Sequence, residues 1–360
     1  MALTFPTTQP VVTVNQQQLA KQLKLSHTTV SRSLTNHPAI SEETRKRVQA
    51  LAAKMGYRKA PTRTIRRTRL AKPLSIGVLI GSPLASTDRS TFPLILQGIR
   101  ERAAIEHASV DVVPIDTAAL AGLNGQRQIF RHIRRADWRG AVLIYPFAPS
   151  MIEMLSHKLC VVSVLTEYHD ASIDVIDTDH DGVRYLVTRL AALGHRKIGF
   201  MSWHYPAGGL WASRRFAAYA EGLFQHGLTL RKEWVINLHA GSPRFESHQD
   251  IADEVVRRIR KDHVTAWVCA ADHQAYRLIS DLQARGLKIP RDCSITGFDG
   301  NDTPPGLPAL ATMGVPNEDI GASAVARLIS RLLNPASALR KNLVATSFIP
   351  GETLAPPPAS

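Results

Sequence analysis

Over the first seventy positions, apolar residues recur at helical rather than strand spacing. Leu19, Ala20 and Leu23 form one stripe, and the side-chain oxygen of Asn15 is placed to cap a helix starting at about Gln16. After a break at Lys24 and Leu25, Ser26 caps a second helix over 27–34, with Val30 and Leu34 on one face. A third helix begins at Ser41. Ser41-Glu42-Glu43-Thr44 reads as a capping box with Thr44 in the reciprocal position, and the two acids favour the positive end of the helix. Its apolar face is Val48, Leu51, Ala52 and Met55, and Gly56 ends it. Three short helices sharing one small core, the first two joined by a tight turn, describe a helix-turn-helix unit.

From Leu74 the pattern becomes short apolar runs alternating with amphipathic stretches. Strands are expected over 75–80, 109–114, 140–145, 159–165, 197–201, 265–270 and 294–298. Helices are expected over 94–108, 183–193, 214–226, 249–261, 274–285 and 318–333. Alternation of this kind predicts parallel sheets flanked by helices, and the length of this part calls for two lobes. The resulting organisation is an all-α headpiece at 12–60, a basic linker at 61–73, and a two-lobed α/β core. The first lobe takes 74–170 and 317–341; the second takes 171–316 and 342–356.

Charge sharpens this division. The chain carries a net +14. Residues 1–72 hold fourteen Lys/Arg against only Glu42 and Glu43, so +12 of that charge sits in the first fifth of the sequence. A cationic helical module on a near-neutral body implies a polyanionic partner. There is no apolar run long enough for a membrane span, and the first ten residues lack the pattern of a secretory signal. Cys160, Cys269 and Cys293 are too scattered for a disulfide framework or zinc site and read as reduced cysteines of a cytoplasmic protein. No Gly-rich phosphate loop or serine elbow appears, and no cofactor is implied. Asp177, Asp179 and Asp181 alternate as in a calcium loop, but the glycine spacing and terminal glutamate are wrong.

A helix-turn-helix lays its second helix in the major groove. The outward face of 27–34 would carry His27, Thr28, Ser31 and Arg32. Arg32 can fork two donors to guanine, and the hydroxyls of Ser26, Thr29 and Ser31 suit phosphates or base edges.

The run from Val14 to Tyr57, with Thr29-Val30-Ser31-Arg32 and Ser41-Glu42-Glu43-Thr44-Arg45 ahead of Gly56-Tyr57, resembles the headpiece of the lactose-repressor/galactose-repressor (LacI/GalR) family. The resemblance implies that His27 and Thr28 choose the operator and that Arg32 reads a base. It also implies a homodimer on a near-palindromic duplex. The DNA-contacting set that follows is Asn15, Ser26, His27, Thr28, Thr29, Ser31, Arg32, Thr35, Ser41, Tyr57, Arg63, Ile65 and Arg66. Two departures stand out. The family's turn glycine is Lys24 here, and the leucine its linker drives into the minor groove is Arg66. Either Ile65 acts as the wedge after a one-residue slip, or the linker arginines contact phosphates and the minor groove. A plain flexible linker is the third alternative.

The core resembles the same family at Leu193–Phe200, at Ser213-Arg214-Arg215-Phe216 and at Ile289–Asp299. The resemblance implies a small-molecule effector such as a sugar in the cleft between lobes. Arg215 and Asp299 stand at the effector-contacting positions. Asp272 matches the family's acid, although the asparagine before it is Ala271, and Phe92 fits an aromatic position of the first lobe. Asp179 falls in a strand-to-helix loop near the cleft, and Trp211, like Trp203, offers a ring for stacking. The competing functions are a solute-binding protein without DNA activity and a sugar-modifying enzyme on the same fold.

Overall fold

In a computed structural model of the chain, the described residues are 16–34, 40–55, 74–81, 91–115, 123–168, 171–204, 210–238 and 243–358. Asn15, Thr35, Tyr57, Arg63, Ile65 and Arg66 lie outside them. The chain divides into two compact units, Met1–Ala71 and Lys72–Ser360.

The first unit contains helices α1 (Gln16–Leu23), α2 (His27–Leu34) and α3 (Glu42–Lys54). Their apolar stripes meet in a core of Leu19, Ala20, Val30, Val48 and Ala52, with Leu23, Leu25, Leu34, Leu51 and Met55 around it. Val30 and Val48 are fully buried, and each such burial stabilises the unit by about 1.5–3 kcal/mol. Lys24, between α1 and α2, has φ 51°. The turn thus keeps the left-handed geometry that a glycine would serve, with a lysine bearing the steric cost.

The second unit holds two sheets of six strands each. In the first, the order is β11 (Lys341–Val344), β5 (Asp174–Thr178), β4 (Cys160–Val164), β3 (Trp138–Ile144), β1 (Leu74–Gly81), β2 (Ala108–Ile115). Every pairing is parallel. Helices α4 (Thr91–Ile105) and α11 (Asn317–Leu333) cover one face, and α5 (Leu123–Arg135) and α6 (Pro149–Ser156) the other. Backbone contact between α4 and α11 is close enough that a Cβ on Gly98 would strike the Glu318 carbonyl, and one on Gly321 that of Ile95. Only glycine permits that approach.

The second sheet runs β12 (Ser347–Ile349), β10 (Ala311–Gly314), β9 (Ser294–Asp299), β8 (Ala266–Cys269), β6 (Ile198–Met201), β7 (Val235–Ile236). Only β12 is antiparallel to its neighbour. Helices α7 (Gly182–Ala192), α8 (Leu210–Gln225), α9 (His248–Asp262) and α10 (Asp272–Ala284) flank it. Apart from the exposed edge strand β12, the strands are buried, as the continuous apolar runs required.

The sheets move the lobe boundary from the expected residue 171. Strand β5 pairs with β4 and β11 in the first sheet, so 174–178 and 342–344 belong to the first lobe. Asp174 explains the placement: fully buried, it accepts from Arg327 of α11 at 2.7 Å and from the Arg340 backbone at 2.7 Å. A buried carboxylate needs such partners, and all of them lie in the first lobe. The chain then crosses between lobes at three places: 178–182, 314–317 and 344–347.

Candidate functional site

The headpiece surface is built on α2. Its start is fixed by Ser26, whose Oγ accepts from the Thr29 amide at 3.0 Å and bonds the Thr29 hydroxyl at 2.8 Å. Ser33 donates to the Thr29 carbonyl at 2.8 Å and is buried beside Val30. Ser26 and Thr29 therefore hold the helix terminus. With about 3.6 residues per turn, positions 28, 31 and 32 fall on the face opposite Val30 and Ser33. The side chains of His27, Thr28, Ser31 and Arg32 lie outside the described residues. Ser41 is the N-cap of α3: its Oγ accepts from the Thr44 amide at 3.4 Å and donates to the Thr44 hydroxyl at 2.9 Å.

The second constellation lies at the carboxyl ends of the strands, where open α/β sheets hold ligands. Arg215, on α8, is only 6% exposed. Its guanidinium donates to the Ala270 carbonyl and, through Nη2, to Asp299 Oδ1 at 3.1 Å. It also sits 3.8 Å from the centroid of Phe298 and 4.8 Å from that of Trp211. Two aromatic faces, a carbonyl and a carboxylate thus immobilise one cation. Nε of Arg215 is buried and has no hydrogen-bond partner among the described residues.

Asp299 ends β9 with φ 142°, and the turn after it is pinned by Asp272. That carboxylate is fully buried: Oδ2 accepts from the Gly300 and Asn301 amides at 2.7 and 2.8 Å, and Oδ1 from the Thr312 hydroxyl at 2.6 Å. A Cβ on Gly297 would collide with Asp272 Oδ1, so β9 passes directly against it. Burial, then the charge of Asp299, push the Asp272 pKa up to about 6, against the opposing hydrogen bonds. Three bonds to its own lobe leave Asp272 facing the fold.

Around this pair the other expected residues are spread over both lobes. Trp211 lies one turn before Arg215 on α8. Asp179 sits in the first crossing, where its Oδ1 accepts from the Asp181 amide at 3.0 Å and its own amide donates to Val344 at 2.8 Å. Phe92 packs into the core of the first lobe and meets Tyr145 edge-on, centroids 5.7 Å apart. Trp203, just past β6, lies against His248 at a tilt, centroids 4.2 Å apart, and meets His273 edge-on at 4.8 Å.

Two residues escaped the sequence reading. His180, in the first crossing, is buried 6.2 Å from the Phe298 ring, with Nε2 3.4 Å from Asp177 Oδ2. Burial lowers its pKa despite the Asp177 hydrogen bond, and the charge of Arg215 acts in the same direction. Glu167, after β4 in the first lobe, accepts from Arg214 of the second at 2.7 Å and from Lys341 at 2.5 Å. Burial alone would raise its pKa; those two bonds outweigh it and hold it low. Arg214 is thus bound across the cleft while its neighbour Arg215 points into its own lobe.

The three alternating aspartates do not converge. Asp177 bonds Thr178 and His180, and Asp181 pairs with Arg184 at 2.5 Å. No metal-holding group of three His, Cys, Asp or Glu occurs among the described residues. None of their helices is long and apolar enough to cross a membrane.

Comparison with known proteins agrees with this architecture. Residues 17–59 match the family "Bacterial regulatory proteins, lacI family", and residues 187–354 match "Periplasmic binding protein-like domain". The chain is 24% identical over 343 residues to the HTH-type transcriptional repressor PurR of Photobacterium profundum, covering 91% of this chain and 98% of that protein. It is 25% identical over 348 residues to the probable HTH-type transcriptional repressor ExuR of Bacillus subtilis, covering 93% and 97%. Among solved structures, the lac repressor dimer bound to operator and the anti-inducer ONPF superposes with TM-score 0.61 at 22% identity, covering 95% of this chain and 99% of that one. The transcriptional regulator CelR–cellobiose complex gives 0.64 at 16% identity, covering 94% and 99%. The helix-turn-helix unit thus belongs to the lacI family of bacterial regulatory proteins and the core carries a periplasmic binding protein-like domain, in a chain that is similar over nearly its whole length to repressors of that build.

Proposed function

We propose that this chain is a sequence-specific DNA-binding transcriptional repressor of the cytoplasm, acting as a homodimer on a near-palindromic operator. A small molecule in the cleft between the lobes sets its operator affinity. The observation that carries this reading is the union, in one chain, of a helix-turn-helix headpiece and basic linker that together hold nearly all the net positive charge with a two-lobed core crossed three times by the chain.

The headpiece reads DNA through α2. His27 and Thr28 select bases, Arg32 forks to a guanine, and Asn15, Ser31, Thr35 and Tyr57 with the linker residues Arg63, Ile65 and Arg66 complete the contact. Ser26, Thr29 and Ser41 contribute chiefly by fixing helix ends. Replacement of the linker's leucine by Arg66 favours charge contacts there over a deep apolar wedge.

In the core, Arg215 and Asp299 are the polar anchors for the effector, flanked by Trp211, with Phe92 and Asp179 supplied from the facing lobe and the crossing. An anchored guanidinium beside a carboxylate offers donors and an acceptor to vicinal hydroxyls, the chemistry of a sugar or related metabolite. Proteins similar to this chain include a ribose operon repressor of Haemophilus influenzae and the transcriptional regulator CelR in complex with cellobiose. Asp272 positions the turn that carries Asp299. A ligand favouring one lobe arrangement shifts the population between DNA-competent and incompetent states, and the Glu167–Arg214 pair is a contact that such a shift makes or breaks. We read the chain as a binding protein without catalytic function.

Deletion of residues 1–73 tests the assignment of roles. The truncated core keeps its thermal shift with whichever member of a sugar and nucleobase panel stabilises the full chain, and loses operator binding. Retained operator binding in the truncated protein would overturn it.

A further inference from the structure

The core carries a second concentration of positive charge, far along the chain from the headpiece. Helix α5 and the turns leading into β3 and β4 enclose a groove of about 770 Å³. Its rim holds Arg127, Arg131, Arg134 and Lys158, against a single carboxylate, Asp137. All four cations are exposed, and none has an ion-pair partner among the described residues. Arg135 and Arg139 beside them are likewise exposed and unpaired. By contrast, most arginines of the second lobe lie in ion pairs, as Arg257 and Arg258 do with Glu254. The floor is apolar, with Ile133 and Trp138 buried.

Strand register places this groove in the fold. Ser75, the second residue of β1, is in register with Trp138 at the start of β3, and Gly140 with Cys160 at the start of β4. The groove therefore occupies the amino-terminal end of the first sheet, opposite the end that carries the effector residues. It is also the end where β1 begins, directly after the basic linker.

We infer that this face of the first lobe binds the phosphate backbone of duplex DNA flanking the operator. The inference rests on the DNA-binding reading given above. A duplex is chosen as occupant because the cluster is a row of cations, unpaired among the described residues, at the end of the sheet where β1 follows the basic linker in sequence. Burying none of its charged groups, it lacks the enclosed polar anchors that a small anion requires. Each phosphate neutralised releases counterions, so the contact adds affinity without sequence preference and steepens the salt dependence.

The test compares the full-length protein with the R131Q/R134Q/K158Q variant on two duplexes. One ends at the operator's edges; the other extends it by about one helical turn, ~10 bp, on each side. Wild type is expected to bind the longer duplex more tightly, on the order of tenfold at low salt, with a steeper fall as salt rises. The variant should match wild type on the short duplex and gain nothing from the flanks. Equal affinity of wild type for both lengths, or a flank advantage retained by the variant, would overturn the inference while leaving the functional reading intact. So would a variant that loses affinity equally on both duplexes, or competition by an acidic protein with no flank effect. Absence of any operator preference on the short duplex would instead sink the functional reading, and this inference with it.

Discussion

Arg215 and Asp299 meet at 3.1 Å, one from a helix of the second lobe and the other from the end of a strand 84 residues later. The guanidinium lies against Phe298 and Trp211, so its position is set before any ligand arrives. Arg215→Ala should abolish the response of operator binding to effector while operator affinity without effector stays within about twofold. It should also cost about 3 kcal/mol of core stability, because Asp299 is left largely buried beside an empty site. Operator binding with and without effector, alongside urea unfolding, measures both. An undiminished effector response would remove Arg215 from the site.

Asp272 supports a prediction whose sign follows from its raised pKa. Between its ordinary 3.8 and about 6, the folded state holds a proton that the unfolded chain releases. Its contribution to stability therefore rises as pH falls from 6 towards 3.8, by up to about 1.4 kcal/mol per unit. Asp272→Asn can keep the geometry, with its oxygen towards the Gly300 and Asn301 amides and its NH2 towards Thr312. That variant should lose this part of the pH dependence in unfolding experiments run from pH 4 to 7. Asp272→Ala orphans those donors and should cost about 3 kcal/mol or more.

His195 acts in the opposite direction. Fully buried, it contacts the Ala355 carbonyl through Nε2 at 2.9 Å and Thr265 Oγ1 through Nδ1 at 2.8 Å. Nε2 must donate to the carbonyl, which leaves Nδ1 as the acceptor in the neutral ring. Burial lowers its pKa below 6.5, although the Ala355 carbonyl opposes the shift. As pH falls through 6.5 the unfolded chain takes up a proton that the fold refuses, so stability is lost on acidification. His195→Gln should weaken this acid sensitivity and loosen the carboxyl-terminal segment, visible as faster amide exchange near 353–355.

Lys24 bears a left-handed φ of 51° in the helix-turn-helix turn. Lys24→Gly should stabilise the headpiece by about 1 kcal/mol, since glycine adopts that geometry without a Cβ clash. Slower proteolysis within the first 55 residues of the full chain would register it; unchanged or faster cleavage would contradict the strain argument.

Legibility in the sequence tracked physical signal strength. The second headpiece helix was read with its observed bounds because Ser26 is a strong cap and Val30 and Leu34 share a face. Strands buried on both faces stood out as unbroken apolar runs, such as Ile198–Met201. Helix Leu123–Arg135 escaped because Ile129 and Ile133 are its deeply buried residues in a stretch crowded with arginine. Strand Asp174–Thr178 escaped because aspartates interrupt its apolar run; the charge of Asp174 is offset by Arg327, distant in sequence, and Asp177 is hydrogen-bonded by the Thr178 amide and His180, which look like loop residues. That omission displaced the lobe boundary. In the core, Arg215 and Asp299 were visible through motif resemblance. Glu167 was not, because its partners Arg214 and Lys341 come to it only through the crossing of the lobes.

Base selection by the helix beginning after Ser26 is measured directly by selection of bound fragments from random duplex DNA. Wild type should enrich a near-palindrome. Arg32→Ala should relax preference at one position of each half-site and cost about 1–3 kcal/mol of affinity. Retention of all duplexes alike, with salt alone governing binding, would contradict it.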